Sequence, residues 1–227
     1  VNLGKRKGWQ QVNTTALDPG ALDPGTLTPN ARRILDVASA LFYARGIAAV
    51  GVDLIAQESG ITKRTLYNRF GSKDVLVATY LLERDRRWRL VIADVLANPA
   101  LTATERITAP FAALPAWMAD NPRGCAFINA LAELPDPTHP GHRVATEEKR
   151  WLLGLFSRLS AEAGIADPDA LAARLLSLHE GSLAVHAVLP DVDCVGAAAS
   201  AARDLVDTAP RAGSPLAMTR ATATVSP

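Results

Sequence analysis

The stretch that decides the fold is Val52-Asp53-Leu54-Ile55-Ala56-Gln57-Glu58-Ser59-Gly60-Ile61-Thr62-Lys63-Arg64-Thr65-Leu66-Tyr67-Asn68-Arg69-Phe70-Gly71-Ser72-Lys73-Asp74. Val52, Ile55 and Ala56 recur at helical spacing and predict a helix over Val52–Ser59. Gly60 interrupts it at a position where positive φ is cheap only for glycine. Thr62 can then cap a third short helix, Lys63–Phe70, whose Leu66 and Phe70, four residues apart, turn one face inward. Ala56 is small, so the two helices can approach closely. Together Gly51–Phe70 has the dimensions of a helix-turn-helix.

Counting about 100° per residue from the inward face, Arg64 and Asn68 point most directly outward. Thr65 and Tyr67 flank them, with Lys63 and Arg69 toward the sides. That face suits a DNA groove, because Arg pairs bidentately with guanine, Asn with adenine, and Thr meets a thymine methyl. Tyr67 and Lys63 are suited to phosphate, which positions a helix without reading sequence. Lys73, at the start of the next helix, adds a cation beside a positive helix end. With Thr62, these residues form the candidate DNA-binding set.

Upstream, Thr28 is an expected N-cap and Pro29 suits the first helical turn. Ile34, Ala38, Leu41 and Phe42 give a helix that Gly46 stops. Downstream, Ser72 caps a long helix, Lys73 to about Ala97. Helical patterns then follow over about Ala103–Asp120, Arg123–Leu134, Arg143–Ala163, Pro168–Leu189 and Cys194–Asp207. No strand alternation appears over a useful length, so the expected fold class is all-α. The expected organisation is a tail over 1–27, a helix-turn-helix domain over 28–72, a six-helix domain over 73–209 and a second tail over 210–227. The first tail holds Lys5, Arg6 and Lys7 and the tandem pentamer ALDPGALDPG over 16–25, whose Asp-Pro-Gly turns cannot propagate a helix.

The quoted stretch closely resembles the DNA-binding signature of the TetR family of regulators. The Ile-Ala pair, the Gly-Ile-Thr turn, the Leu-Tyr-x-x-Phe run and the Ser-Lys-Asp helix start all sit at that family's spacings. The resemblance is specific over Pro29–Leu76 and is one of architecture beyond it. Arg64 stands where many members have Gly or Ala, Arg69 where His is frequent, and Gly51 where Ser or Thr is commoner. The resemblance implies a bacterial transcription regulator, more often a repressor, that binds double-stranded operator DNA. It also implies a homodimer built from the last two helices, and a ligand pocket in the helices between.

For the dimer surface, Leu171, Leu175, Leu178, Ser182, Val185 and Leu189 follow four-three-four-three-four spacing, and Val195, Ala199, Ala202 and Val206 form a stripe in the last helix. Packing within one chain would use the same spacing. For the pocket, Trp88, Phe111, Trp117, Met118, Phe127 and Trp151 concentrate the bulky side chains, and Cys125, Asn129 and His179 offer polar anchors. A small apolar ligand is the expectation. Arg84, Arg86, Arg87 and Arg89 read as a solvated or inter-domain face, and Cys125 as a small buried thiol beside a Gly turn.

The bulk properties agree with this reading. Net charge is only +1, yet Val1–Leu90 carries 14 Lys and Arg against 8 Asp and Glu, while Val91–Pro227 carries 10 against 15. A basic N-terminal part suggests a polyanion partner at one end. No apolar run approaches the roughly 20 residues of a membrane helix. Two distant cysteines suggest reduced thiols in a cytoplasm, where the chain is expected on the nucleoid. Asp136, His139 and His142 recur every three residues but lie in a Pro-Gly loop without a fourth ligand, so no metal is expected. With no Gly-rich phosphate loop, GxSxG or HExxH, neither a cofactor nor an enzymatic activity is expected. A ligand-blind structural nucleoid protein is the second alternative.

Overall fold

The computed structural model describes residues 22–213. Within them the chain forms nine α-helices: α1 (Pro29–Arg45), α2 (Val52–Ser59), α3 (Lys63–Phe70), α4 (Lys73–Leu96), α5 (Ala103–Ala119), α6 (Ala126–Glu133), α7 (Pro140–Glu162), α8 (Pro168–Val188) and α9 (Cys194–Thr208). Their limits follow local chemistry. Thr62 and Ser72 accept the backbone N–H of Thr65 and Val75 and so cap α3 and α4. Thr102 and Glu105 form a reciprocal capping box on α5. Thr28 stands at the N-cap of α1 as expected, but its side chain makes no capping hydrogen bond.

Gly60 is the pivot between α2 and α3. Its φ is 65°, a left-handed conformation that favours glycine, whereas a β-carbon there would lie 3.3 Å from the flexible Arg33 guanidinium, which could shift to admit it. Its N–H donates to Gln57 O at 3.2 Å, and Ile61 N donates to Ala56 O at 3.1 Å, which closes the end of α2.

Two hydrophobic clusters organise the molecule. The first gathers Ile34, Leu35, Phe42, Ile55, Leu66, Phe70 and Leu81 from α1–α4, and it also takes Phe127, Ala130, Leu134 and Val144 from α6 and the start of α7. The second lies among α4, α5, α7, α8 and α9, around Trp88, Phe111, Leu152, Phe156, Leu175 and Ala202. The expected boundary at residue 72 is therefore not a packing boundary, because α4 runs through both clusters and α6 seals the first. No described helix is long and apolar enough to cross a membrane.

Residues 22–27 and 210–212, expected within the two tails, are instead held against the helical body. Leu22–Leu27 lies against α1 and α4: Leu22 N donates to Thr79 Oγ1 at 3.3 Å, Pro24 is buried, and Pro24 O accepts from Arg32. Asp23 caps a 3-10 turn over Pro24–Thr26, so one Asp-Pro-Gly copy is used as a structured turn. At the other end Ala166 N donates to Pro210 O and Ala212 N to Gly164 O, both at 2.8 Å. The remaining tail assignments, 1–21 and 214–227, lie outside the described residues.

Candidate functional site

The outer face of α3 carries four exposed side chains, Arg64, Tyr67, Asn68 and Arg69, none with a side-chain hydrogen bond or ion pair to another described residue. Behind them Leu66 and Phe70 are buried against α1 and α2. Thr65 is half-buried, its hydroxyl 3.0 Å from that of Thr62. Two expected phosphate cations are placed differently. Lys63 forms an exposed ion pair with Asp53 on α2, which salt and a competing phosphate can exchange. Lys73 turns inward, donating to Ile47 O at 2.7 Å and lying 6.0 Å from the Phe42 ring, so it braces the α1–α2 turn and does not face outward.

A set of polar contacts fastens the helical body to this unit. Arg123, ahead of α6, donates to the end carbonyls of α1 at Tyr43 and Ala44, and its N–H donates to Tyr43 Oη at 2.7 Å. Gly124 follows with φ of 72°, and a β-carbon there would sit 3.0 Å from Leu183 O, so glycine lets the turn rest on α8. At the far end of α6, Glu133 accepts from Ala48 N at 2.7 Å. His139 Nε2 lies 3.3 Å from Asp74, while its Nδ1 accepts from Gly141 N, which gives this histidine a structural use at the start of α7.

The second candidate site is a half-open, narrow cavity of about 20 Å³ among α4, α5, α6, α7 and α8. Of the nine residues expected at a pocket, Trp88, Trp117, Cys125, Phe127 and His179 line it. Phe111 stands behind, its ring 5.6 Å from that of His179, and Met118 is buried in the surrounding core. Trp151 lies instead under the Arg89 guanidinium, 4.5 Å away. Asn129 is exposed and donates to Arg123 O at 2.9 Å, so it holds the turn before α6 and does not reach the cavity.

The wall is not apolar, contrary to expectation. Arg84, Glu148 and Lys149 join it, and Glu180 stands behind. Lys149 Nζ lies 2.8 Å from Glu148 and 2.7 Å from Glu180, and Glu180 is 3.0 Å from His179 Nδ1. Burial pushes Glu148 up to about 7, against the pull of Lys149. Burial also acts to raise Glu180, but the His179 hydrogen bond and Lys149 outweigh it and hold that carboxyl at about 2. Burial lowers His179, so it is neutral and presents Nδ1–H to Glu180. Burial pushes Cys125 up to about 12, which keeps it a thiol at neutral pH.

Glu148 makes a prediction. The folded chain holds its proton more tightly than an ordinary carboxyl of pKa 4.5, so its contribution is fullest at low pH and is lost as pH rises through about 7. Glu148→Gln should therefore lose less stability than the parent between about pH 5 and about pH 8, read as the urea midpoint. Equal slopes would mean that Glu148 is ionised throughout.

Glu148, Lys149 and Glu180 were not singled out in the sequence, and Arg84 was read with a solvated or inter-domain face, although a signal exists. Glu148 occupies the apolar stripe Val144, Leu152, Leu155, Leu159, and Arg84 the stripe Leu81, Trp88, Ile92. Arg84 is 4% exposed, unlike the solvated Arg86 and Arg87, and Arg89 pairs with Asp85 at 2.6 Å.

The expected dimer stripes are divided. Leu171, Leu175, Ser182, Val195, Ala202 and Val206 are buried inside the protomer, because α8 is held between α7 and α9 and spends that stripe on its own core. Leu178 and Ala199 are half-buried, and Val185 and Leu189 are exposed, together with Val188 and Val192, which the sequence reading did not include. A groove of about 740 Å³ runs between α8 and α9, with Ser177, Leu178, Ala201 and Leu205 in its wall.

A helix-turn-helix with a solvent-facing second helix, carried by α1 and α4 of an all-helical body, defines a DNA-binding regulator. Residues 34–80 match the family described as bacterial regulatory proteins, tetR family. An uncharacterised HTH-type transcriptional regulator of Mycobacterium tuberculosis is 31% identical over 165 residues, 61% of this chain and 78% of the relative. HTH-type transcriptional regulator YjdC of Escherichia coli is 25% identical over 154 residues, 66% of this chain and 79% of YjdC. Among solved structures, SCO4454, a TetR-family transcriptional regulator from Streptomyces coelicolor, superposes with a TM-score of 0.74 at 31% identity, covering 79% of this chain and 96% of that one. This chain belongs to the TetR family of transcriptional regulators.

Proposed function

We propose that this chain is a dimeric, ligand-gated repressor whose α3 reads operator DNA in the major groove. The observation that carries the reading is the unpaired outer face of α3, where Arg64, Tyr67, Asn68 and Arg69 stand exposed over a buried Leu66–Phe70 base. Two such helices on a symmetric dimer would enter successive major grooves about 34–36 Å apart. The exposed apolar residues at the end of α8 and the α8–α9 groove support a second copy as the partner.

Gating follows from population shift: a ligand that fits better when the reading helices are misplaced draws protein off the operator. The contacts from Arg123 to the C-terminal end of α1 and from Glu133 to Ala48 in the turn after it supply a path, because α6 borders the cavity and touches the DNA-binding unit. α5 is the wall best able to give. Pro110 and Pro115 lie inside it, and each lacks the N–H that would bond the preceding turn. A ligand for this wall needs polar groups as well as an apolar body.

Footprinting on the DNA flanking its own gene, with and without candidate compounds, tests the reading. Arg64→Ala should cost about 1–3 kcal/mol on the operator and relax sequence preference at one base pair. Equal loss on random duplex would instead make Arg64 a phosphate anchor.

A further inference from the structure

Arg84 is the least compensated charge in the cavity wall. Its guanidinium carbon lies 4.3 Å from the Tyr43 ring and 5.3 Å from the Trp117 ring, and the residue is 4% exposed. Among the described residues no carboxylate pairs with it and no oxygen accepts from it. Its neighbours in sequence are committed elsewhere, Glu83 to Arg32 at 3.3 Å and Asp85 to Arg89 at 2.6 Å. Cation–π contact satisfies the faces of a guanidinium, whereas its five N–H groups form an edge suited to a carboxylate. None of the Arg84 nitrogens is both fully buried and unpartnered, so the fork keeps a little solvent contact, and a ligand carboxylate would take the place of that water.

A buried polar atom in the same wall is unfilled. His179 is 2% exposed and its Nδ1 is engaged by Glu180, so Nε2 is an acceptor, and that buried atom has no partner among the described residues. Trp88, Trp117 and Phe127 supply aromatic surface in the same wall. Glu148 and Glu180 both lie on Lys149, yet the buried Oε2 of each accepts no hydrogen bond, so a cationic ligand is the competing occupant that the amine probes below test. Burial keeps Glu148 largely protonated below about pH 7, which leaves the wall net positive.

We propose that this cavity binds an aromatic carboxylate that carries a hydroxyl, with the carboxylate on the Arg84 fork and the hydroxyl donating to His179 Nε2. The proposal rests on the ligand-gated reading above and adds the chemical class of the ligand. The cavity of about 20 Å³ has room for one water, whereas an apolar cavity of about 150 Å³ takes a benzene ring. Entry therefore displaces the half-buried Trp117 on the proline-interrupted α5. That movement takes one ring from Arg84, and a bound carboxylate draws the guanidinium from the other. Tyr43, released from Arg84, is the residue whose hydroxyl and carbonyl hold Arg123 at the end of α1. Ligand charge is in this way coupled to the DNA-binding unit.

The test uses the full chain and three matched sets of probes: the hydroxybenzoate isomers, the corresponding hydroxybenzamides and the corresponding aminomethylphenols. Binding is read by calorimetry and tryptophan fluorescence. At least one hydroxybenzoate should bind about tenfold to a hundredfold more tightly than its neutral amide. Arg84→Gln should abolish that preference while still binding the amide, which shows that the variant is folded. Amides binding as well as the acids, or the amines binding better, would overturn the assignment yet leave a ligand-gated regulator standing. Absence of binding by every probe at millimolar concentration would also overturn it. The gating reading itself fails separately, if no compound of any charge alters the operator footprint.

Discussion

Val185→Lys combined with Leu189→Lys should leave the protomer folded and cut operator affinity by about 10²–10⁴-fold, because two linked reading helices gain that much over one. Both residues are solvent-facing in the protomer, 42% and 48% exposed, so replacing them removes little internal packing. Lysines at the end of α8 also favour its negative C-terminal end, so the change does not weaken the helix itself. In a dimer seated on this surface, however, four ammonium groups would face one another across an apolar seam. Sedimentation should show a monomer with unaltered helical circular dichroism, and anisotropy should show the affinity loss. A variant that remains dimeric and binds normally would move the interface away from this end of α8.

The second large effect is on stability. Phe70→Ala should cost about 3–5 kcal/mol, the range for a fully buried phenylalanine whose cavity cannot collapse. Phe70 is 3% exposed and shares its cluster with Leu66, Phe42 and Ile55, contributed by three helices. For a chain of this size each kcal/mol lowers Tm by about 2–4 °C, so the shift is easily read by calorimetry. Tyr67→Phe, three residues earlier but solvent-facing, should stay within about 0.5 kcal/mol of the parent in stability while weakening binding to all duplexes alike. A small effect of Phe70→Ala would mean that α3 is not anchored by this residue, and its outer face would then not be presented rigidly.

The DNA-binding unit was legible because its signals are local. Gly60, the Thr62 and Ser72 caps, and the Leu66–Phe70 pair each act within one turn, and the α2 and α3 limits agree with the spacing. Lys63 and Lys73 were less legible, since charge and position in sequence do not reveal that Asp53 or the Ile47 carbonyl is within reach. On α8 the difficulty was different. The helix is apolar around most of its circumference, so periodicity alone could not say which stripe faces the protomer core and which faces outward. Packing by α7 and α9 decides it, and buries Leu171, Leu175 and Ser182 while leaving Val185 and Leu189 outside.

The cavity wall was the least legible part. Aromatic residues drew attention as a pocket lining, and five of the nine residues singled out do meet there. The chemistry of the wall comes from Arg84, Glu148 and Lys149, which composition would assign to solvent. Each sits on an apolar stripe of its helix, and a charged residue in such a position is a stronger pointer to a polar site than another tryptophan. Asn129, by contrast, had the right chemistry on the wrong side of a short helix.

The most direct measurement is a footprint of the purified protein on the duplex flanking its own gene, at low and at physiological salt, with the oligomeric state determined in parallel. A dimer protecting two half-sites in successive major grooves, about 34–36 Å apart, is the predicted result. A monomer that binds no duplex even in dilute salt would contradict the account.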